Sequence, residues 1–215
     1  MSDLVLRLER FPMACGTILI VTDDEQALHA LDWDDHESRM RRLLERRYGK
    51  GQIRLQQRSS DSSVSRAFHD YFSGNLRATD EIRVRTGGTA FQLRVWAKLR
   101  TILPGSTVTY GQLAARLRRP EAVRAVGAAN GANPIPIVVP CHRVIGADGS
   151  LTGYGSGLER KRWLLEHEGV RLKYPTCLPR GNASSDRWTP DDRHPETATS
   201  SLDTPGEERS PHPTA

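Results

Sequence analysis

The stretch that decides the fold runs from Thr109 to Val144, TYGQLAARLRRPEAVRAVGAANGANPIPIVVPCHRV. Thr109 suits the N-cap of a short helix whose inward face is Tyr110, Leu113, Ala114 and Leu117, and Arg118-Arg119-Pro120 ends it. Pro120 fits the first turn of a following helix, Glu121 stands at the positive end of its dipole, and Gly131 is its stop. Two short helices joined by a tight basic turn make the outline of a helix-turn-helix. The second helix offers Arg124, Ala125, Gly127, Ala128 and Ala129, where a reader of major-groove base edges would carry several long polar side chains. A face of small residues instead lets the backbone approach a narrow groove, with Arg124 as its one long projection.

The same stretch closes on Pro140-Cys141-His142-Arg143-Val144, in a chain with three cysteines. A thiol carries only a few per cent thiolate at neutral pH, so it needs a base to act as a nucleophile. Asn133-Pro134, the apolar run Ile135 to Val139, and Pro140 predict a chain that turns, extends and delivers the thiol at a set angle. Adjacent side chains of an extended chain point to opposite sides, so His142 would reach the sulfur through a water. A histidine base also wants a carboxylate on its other nitrogen. Glu168, in the last turn of a helix expected over 158–169, is the candidate; the alternatives are an ordinary helix-end glutamate and a purely structural Cys-His pair.

Upstream, Thr89 caps a helix carrying Phe91, Val95, Leu99 and Ile102, expected to run until Pro104-Gly105. Gly87-Gly88 separates it from a first block with strands at Thr17 to Val21, Ala30 to Trp33 and Ile53 to Gln57. That block also has helices over His36 to Tyr48 and around Val64 to Phe72. Strands mixed with helices imply an α/β or α+β module. From Pro175 onward the chain is rich in Pro, Ser, Thr and Asp without an apolar period, which predicts disorder. The expected division is therefore 1–86, 87–174 and a tail 175–215.

Charge separates the same blocks. Residues 85–175 hold 14 Lys and Arg against 5 Asp and Glu, while 1–84 hold 13 against 14, so a polyanion would meet the middle block. Cys15, Cys141 and Cys177 are odd in number and far apart, without a C-x-x-C pair, so neither a disulfide framework nor a zinc site is expected. The first 13 residues are charged throughout, and no apolar run is long enough for a membrane span. We expect a cytoplasmic protein, nuclear in a nucleated source, that needs no metal and no cofactor.

Taken together, Pro140 to Val144, Asn133-Pro134, Arg124-Ala125-Val126-Gly127-Ala128, Phe91-Gln92, Val95-Trp96, Thr109-Tyr110, Gln112-Leu113-Ala114, Gly153-Tyr154 and Trp163 to Gly169 resemble the O6-alkylguanine-DNA alkyltransferase family over about Gly88 to Arg171. The resemblance implies a ribonuclease-H-like N-terminal α/β module. It also implies a mostly helical C-terminal domain with a winged helix-turn-helix and an active-site cysteine loop. By that resemblance the protein is a monomer, with clustering on DNA left open, that binds double-stranded DNA through the minor groove. It flips out an alkylated guanine, with O4-alkylthymine as a further candidate, and takes the alkyl group irreversibly. The same resemblance makes Cys141 the acceptor, His142 the base through water, Glu168 its orienting partner, Asn133 the brace of the turn and Tyr110 a donor to guanine N3. Arg124 becomes the intercalating finger. Thr109, Ala125, Gly127, Ala128 and Arg143 become DNA contacts, and Tyr154, Gly155, Ser156 and Val144 line the alkyl pocket.

The sequence departs from the family at Ser156, where a glycine is common; the serine either narrows the pocket or changes the stiffness of the loop. Three other classes are set against this reading: an alkyltransferase-like protein that binds damage without transfer, a helix-turn-helix regulator, and a cysteine hydrolase. The presence of Cys141 argues against the first, and the small-residue second helix against the second.

Overall fold

The apolar run Ile18-Leu19-Ile20-Val21 is buried on both sides, because its strand lies inside a sheet covered on each face. The computed structural model describes residues 4–172 apart from Ala14 and Ser60. In it β1 (Leu4–Met13), β2 (Gly16–Thr22), β3 (Leu28–Trp33) and β4 (Ile53–Gln57) form a sheet of order β3-β2-β1-β4. β1 pairs antiparallel with β2, Leu8 opposite Val21, and parallel with β4, Leu6 opposite Leu55. β3 pairs antiparallel with β2, Ile20 opposite Leu31. On one side Leu6, Leu8, Leu19, Val21 and Ala30 pack with Met40 and Leu44 of α1 (Glu37–Tyr48). On the other, Ile18, Ile20, Leu31 and Trp33 join Val64, Phe68 and Tyr71 of α2 (Ser63–Phe72).

Five of these six elements fall within about two residues of the sequence expectation. β1 was not expected, since Arg7, Glu9 and Arg10 break its apolar pattern. The structure accommodates the acid: Glu9 is wholly buried, and its Oε2 accepts hydrogen bonds from the hydroxyls of Ser62, at 2.8 Å, and Ser65, at 2.5 Å. Ser62 also caps α2, accepting from the Ser65 N–H at 3.0 Å.

The apolar cluster of α2 continues past Gly87-Gly88 into α3 (Ala90–Leu99), α4 (Tyr110–Arg116), α5 (Val123–Gly131) and α6 (Leu158–His167), through Val95, Leu99, Leu113, Val126 and Leu164. All described residues belong to one compact unit. Thr89 and Thr109 each close a capping box, with Gln92 and Gln112 respectively. α3 ends at Leu99, earlier than expected; Ile102 lies in the following turn and is buried there in the same apolar cluster. A 3-10 turn, Pro120–Ala122, opens into α5 with its proline in the first turn, as expected. β5 (Val108–Thr109) pairs parallel with β6 (Val144–Ile145), which brings the start of α4 beside the cysteine segment.

No helix among the described residues is long and apolar enough to cross a membrane. The tail 175–215, for which disorder was expected, and Cys177 within it lie outside the described residues.

Candidate active site

The segment that presents Cys141 is wound up, which corrects the expectation of an extended chain. The Val139 N–H donates to the Ile135 carbonyl at 2.9 Å, and Cys141 to Arg143 form a 3-10 turn. Ile137 sits at φ 73°, a left-handed conformation that costs a branched residue about 1 kcal/mol or more and so must be imposed by its surroundings. Asn133, buried, supplies the brace. Its Nδ2 donates to the Val139 carbonyl at 2.7 Å, and its Oδ1 accepts from the Ile135 N–H at 3.0 Å. Asn130 Nδ2 adds a bond to the Cys141 carbonyl at 3.4 Å.

His142 is fully buried, and its Nε2 lies 2.9 Å from Glu168 Oε1. A carboxylate accepts, so Nε2 carries the hydrogen and Nδ1 keeps a lone pair; Nδ1 is buried without a partner among the described residues. Burial pushes the imidazole below its ordinary pKa, against the opposing pull of Glu168, so the ring is neutral near pH 7. For Glu168 burial raises the carboxyl pKa, but hydrogen bonds and charge from His142 and Arg143 outweigh it and hold the group well below the usual carboxylate range. With His142 neutral, Arg143 is the lasting countercharge. Its Nε and Nη2 donate to the two Glu168 oxygens at 2.9 and 2.7 Å, and its Nη1 to the Ile102 carbonyl at 2.5 Å. Arg143 is 4% exposed, so the expected DNA contact is corrected: its guanidinium is committed inside the protein.

Burial pushes the Cys141 thiol up, opposed by a hydrogen bond from Asn133 and by the charges of Lys161 and Arg39. At rest it is a thiol that requires a base. Lys161 is itself buried, with Nζ on the carbonyls of Val144 at 2.5 Å and Thr152 at 2.6 Å, and burial lowers its pKa to about 8.

Around the thiol, Tyr110 donates to the carbonyls of Thr152, at 3.2 Å, and Gly153, at 3.4 Å. Gly153 has φ 55°, and a side chain there would lie 3.1 Å from that hydroxyl, so the close approach requires glycine. Tyr154 stands edge-on to Trp33 at 6.3 Å, with its hydroxyl buried. Ser156 is buried and turned onto the sheet, donating to Asp32 Oδ1 at 2.7 Å. Asp32 Oδ2 accepts from Arg39 at 2.6 Å, and Arg39 also donates to the carbonyls of Gly131, at 3.0 Å, and Asn133, at 3.1 Å. A side chain on Gly155 would fall 2.7 Å from Arg39. Val144, expected to line the alkyl pocket, is fully buried in the apolar core. Arg124, Ala125 and Ala128 are exposed on α5, while Gly127 faces the Tyr110 ring.

The structure thus brings Asn133, Tyr110 and Tyr154 to the Cys141 thiol, ties His142 to Glu168 and Ser156 to Asp32, and leaves Arg124 exposed on α5. Sequence reasoning missed Tyr71, Asp32, Arg39 and Lys161. Lys161 stands three and four residues from Leu158, Leu164 and Leu165, on the apolar face of α6, and Asp32 lies between Leu31 and Trp33 in a strand. Both are acids or bases in apolar positions, a signal open to reading; Tyr71 carried none. A cavity of about 270 Å3 lined by Arg46, Arg47, Gln92, Trp96 and Pro134 touches none of the residues gathered about the thiol. Among the described residues no group of three His, Cys, Asp or Glu is placed to hold a metal ion.

A buried cysteine followed by a histidine bonded to a buried carboxylate, beside the capped start of α4, defines the class of proteins with a Cys-His-Glu constellation set on a pair of short helices. Residues 90–170 match the family described as 6-O-methylguanine DNA methyltransferase, DNA binding domain. The methylated-DNA–protein-cysteine methyltransferase of Salmonella typhimurium is 48% identical over 164 residues, 76% of this chain and 96% of that one. The solved O6-methylguanine methyltransferase of Mycobacterium tuberculosis superposes with a TM-score of 0.61 at 35% identity, over 76% of this chain and 92% of that chain. The M. tuberculosis protein in complex with DNA gives 0.60 at 35% identity, over 75% and 92%. The chain belongs to the methylated-DNA–protein-cysteine methyltransferase family.

Proposed function

We propose that the protein repairs DNA by direct reversal, moving the alkyl group of an O6-alkylguanine to Cys141 once per molecule, with O4-alkylthymine as a second candidate substrate. The observation that carries this reading is His142 with Nε2 fixed on Glu168 and a buried lone pair left on Nδ1, one residue from a thiol that burial keeps protonated. In the step we envisage, the thiol proton passes to His142 Nδ1 through a water. The sulfur attacks the alkyl carbon, the carbon–O6 bond breaks, and its electron pair enters the purine. Tyr110 donates toward guanine N3, and the N–H groups near Gly155 contact O6. Lys161 and Arg39 favour the sulfur anion as it forms. The product is a thioether, which nothing in the site cleaves, so turnover stops at one.

The guanine reaches Cys141 by leaving the duplex. Extrusion costs a few kcal/mol, and Arg124 stacked in the vacated position offsets about 1 to 3 kcal/mol of it. We assign α4 and α5 to the minor groove, with Thr109, Ala125, Gly127 and Ala128 at the backbone and the paired β5 and β6 as a wing. The sheet order supports a ribonuclease-H-like N-terminal module over 1–86, and 87–174 is the DNA-binding and alkyl-acceptor part, in a monomeric cytoplasmic protein. Ser156 acts on loop stiffness, because its hydroxyl is bound to Asp32.

Incubation with a duplex bearing one O6-methylguanine adds one CH2 to the protein's mass, on Cys141, with a stoichiometry that never passes one. Cys141→Ala still binds the duplex and transfers nothing. A second transfer per molecule, label elsewhere, or repair by Cys141→Ala refutes the proposal, and a wild-type protein that binds the duplex without gaining mass favours the alkyltransferase-like binding protein instead.

A further inference from the structure

We propose that Tyr71, on α2, is a positioning residue for the transfer: its hydroxyl, donated to Glu168, sets how tightly Glu168 holds the Nε2 hydrogen of His142 and thereby how strong a base His142 is. The inference rests on the alkyl transfer proposed above. Glu168 Oε1 receives three donors, the Tyr71 hydroxyl at 2.6 Å, Arg143 Nη2 at 2.7 Å and His142 Nε2 at 2.9 Å. One carboxylate oxygen has about two lone-pair directions, so the donors compete, and each draws density that would otherwise strengthen the bond to His142. Arg143 and His142 sit in the cysteine turn itself. Tyr71 comes from 97 residues upstream, so its presence on this oxygen is a product of the tertiary fold.

Tyr71 is built to stay there. It is fully buried, its ring stands edge-on to Phe72 at 5.0 Å and against His167 at 5.1 Å, and its own carbonyl lies 3.0 Å from His167 Nε2. Burial and the adjacent Glu168 hold its proton far above neutral pH, so it remains a donor at every pH at which the protein works. The titratable and charged groups facing the cluster are His142 and Arg143 from the turn, Lys161, His167 and Glu168 from α6 and its end, Tyr71 from α2 and Tyr154 from the loop 153–157. His69 and Asp70 of α2 are exposed.

The test is the pH profile of single-turnover methyl transfer from an O6-methylguanine duplex. Protonation of His142 closes the acid limb. Tyr71→Phe keeps the ring and deletes the donor; Glu168 then binds the imidazolium more strongly, and the limb moves up by about half a pH unit or more, with DNA affinity unchanged. Incorporation of 3-fluorotyrosine at position 71, a stronger donor, moves the limb the other way, and decides the matter even where Tyr71→Phe folds poorly. In a Glu168→Gln background the loss of the hydroxyl adds no further shift. A limb that stays put in both position-71 proteins, or an equal shift without Glu168, overturns the inference while the wild-type protein still methylates Cys141 once. Absence of that methylation in the wild type instead overturns the proposed function.

Discussion

Arg143 and Lys161 are cations that a linear reading places at the surface or on DNA, and both are buried because each has a specific anionic or carbonyl partner. For Arg143 the partner is a carboxylate gripped by two parallel bonds. Replacing it with alanine strands Glu168 as an uncompensated buried charge, so we expect a loss of about 3 to 5 kcal/mol in urea unfolding. Arg143→Lys, which cannot reproduce the two-pronged grip, recovers only part of it. A loss below about 1 kcal/mol, the range of an exposed ion pair, would show that solvent reaches the cluster.

At the scale of elements, two short pieces decide the site's geometry: the α4 cap and the loop 153–157. Thr109 closes a capping box and precedes Tyr110 directly, so Thr109→Ala costs about 1 kcal/mol and loosens Tyr110, while Thr109→Ser preserves both. Thermal unfolding and affinity for the alkylated duplex measure the two effects. The loop is tied to the sheet through Ser156 and Asp32. Ser156→Ala should therefore raise hydrogen exchange in the loop while leaving the ratio of O6-benzylguanine to O6-methylguanine transfer rates unaltered. A rise in that ratio would mean that the hydroxyl narrows the pocket.

For the whole molecule, the buried cluster links pH to stability. The folded pKa of Glu168 is depressed, so its contribution is fully present above the ordinary carboxylate pKa of 4.5 and is lost as pH falls below it. His142 is depressed as well, and its contribution fades below 6.5. The protein should lose stability steadily on acidification, and a Glu168→Gln protein should lose less between pH 5 and 3, as denaturant midpoints across about that range will show. Binding to DNA should weaken steeply with salt and depend little on sequence, because the basic surplus lies in residues 85–175 and the α5 face is made of small residues. A salt-independent affinity would locate the contacts elsewhere.

Local chemistry was legible along the chain: capping threonines, helix-stopping glycines and prolines, the alternation of strands, and the run of motifs around Cys141 each act through neighbours a few residues away. β1 was hidden because its charged residues read as surface until Ser62 and Ser65 meet Glu9 across the fold. The wound turn before Cys141 was hidden because Ile137 adopts a conformation that only its surroundings impose. The sequence by itself determined which side chains are the candidates for the chemistry and in what order they occur. Only the tertiary structure decided that Tyr71, Asp32 and Arg39 of the first module stand behind them, since burial in a low-dielectric interior turns distant polar groups into obligatory partners.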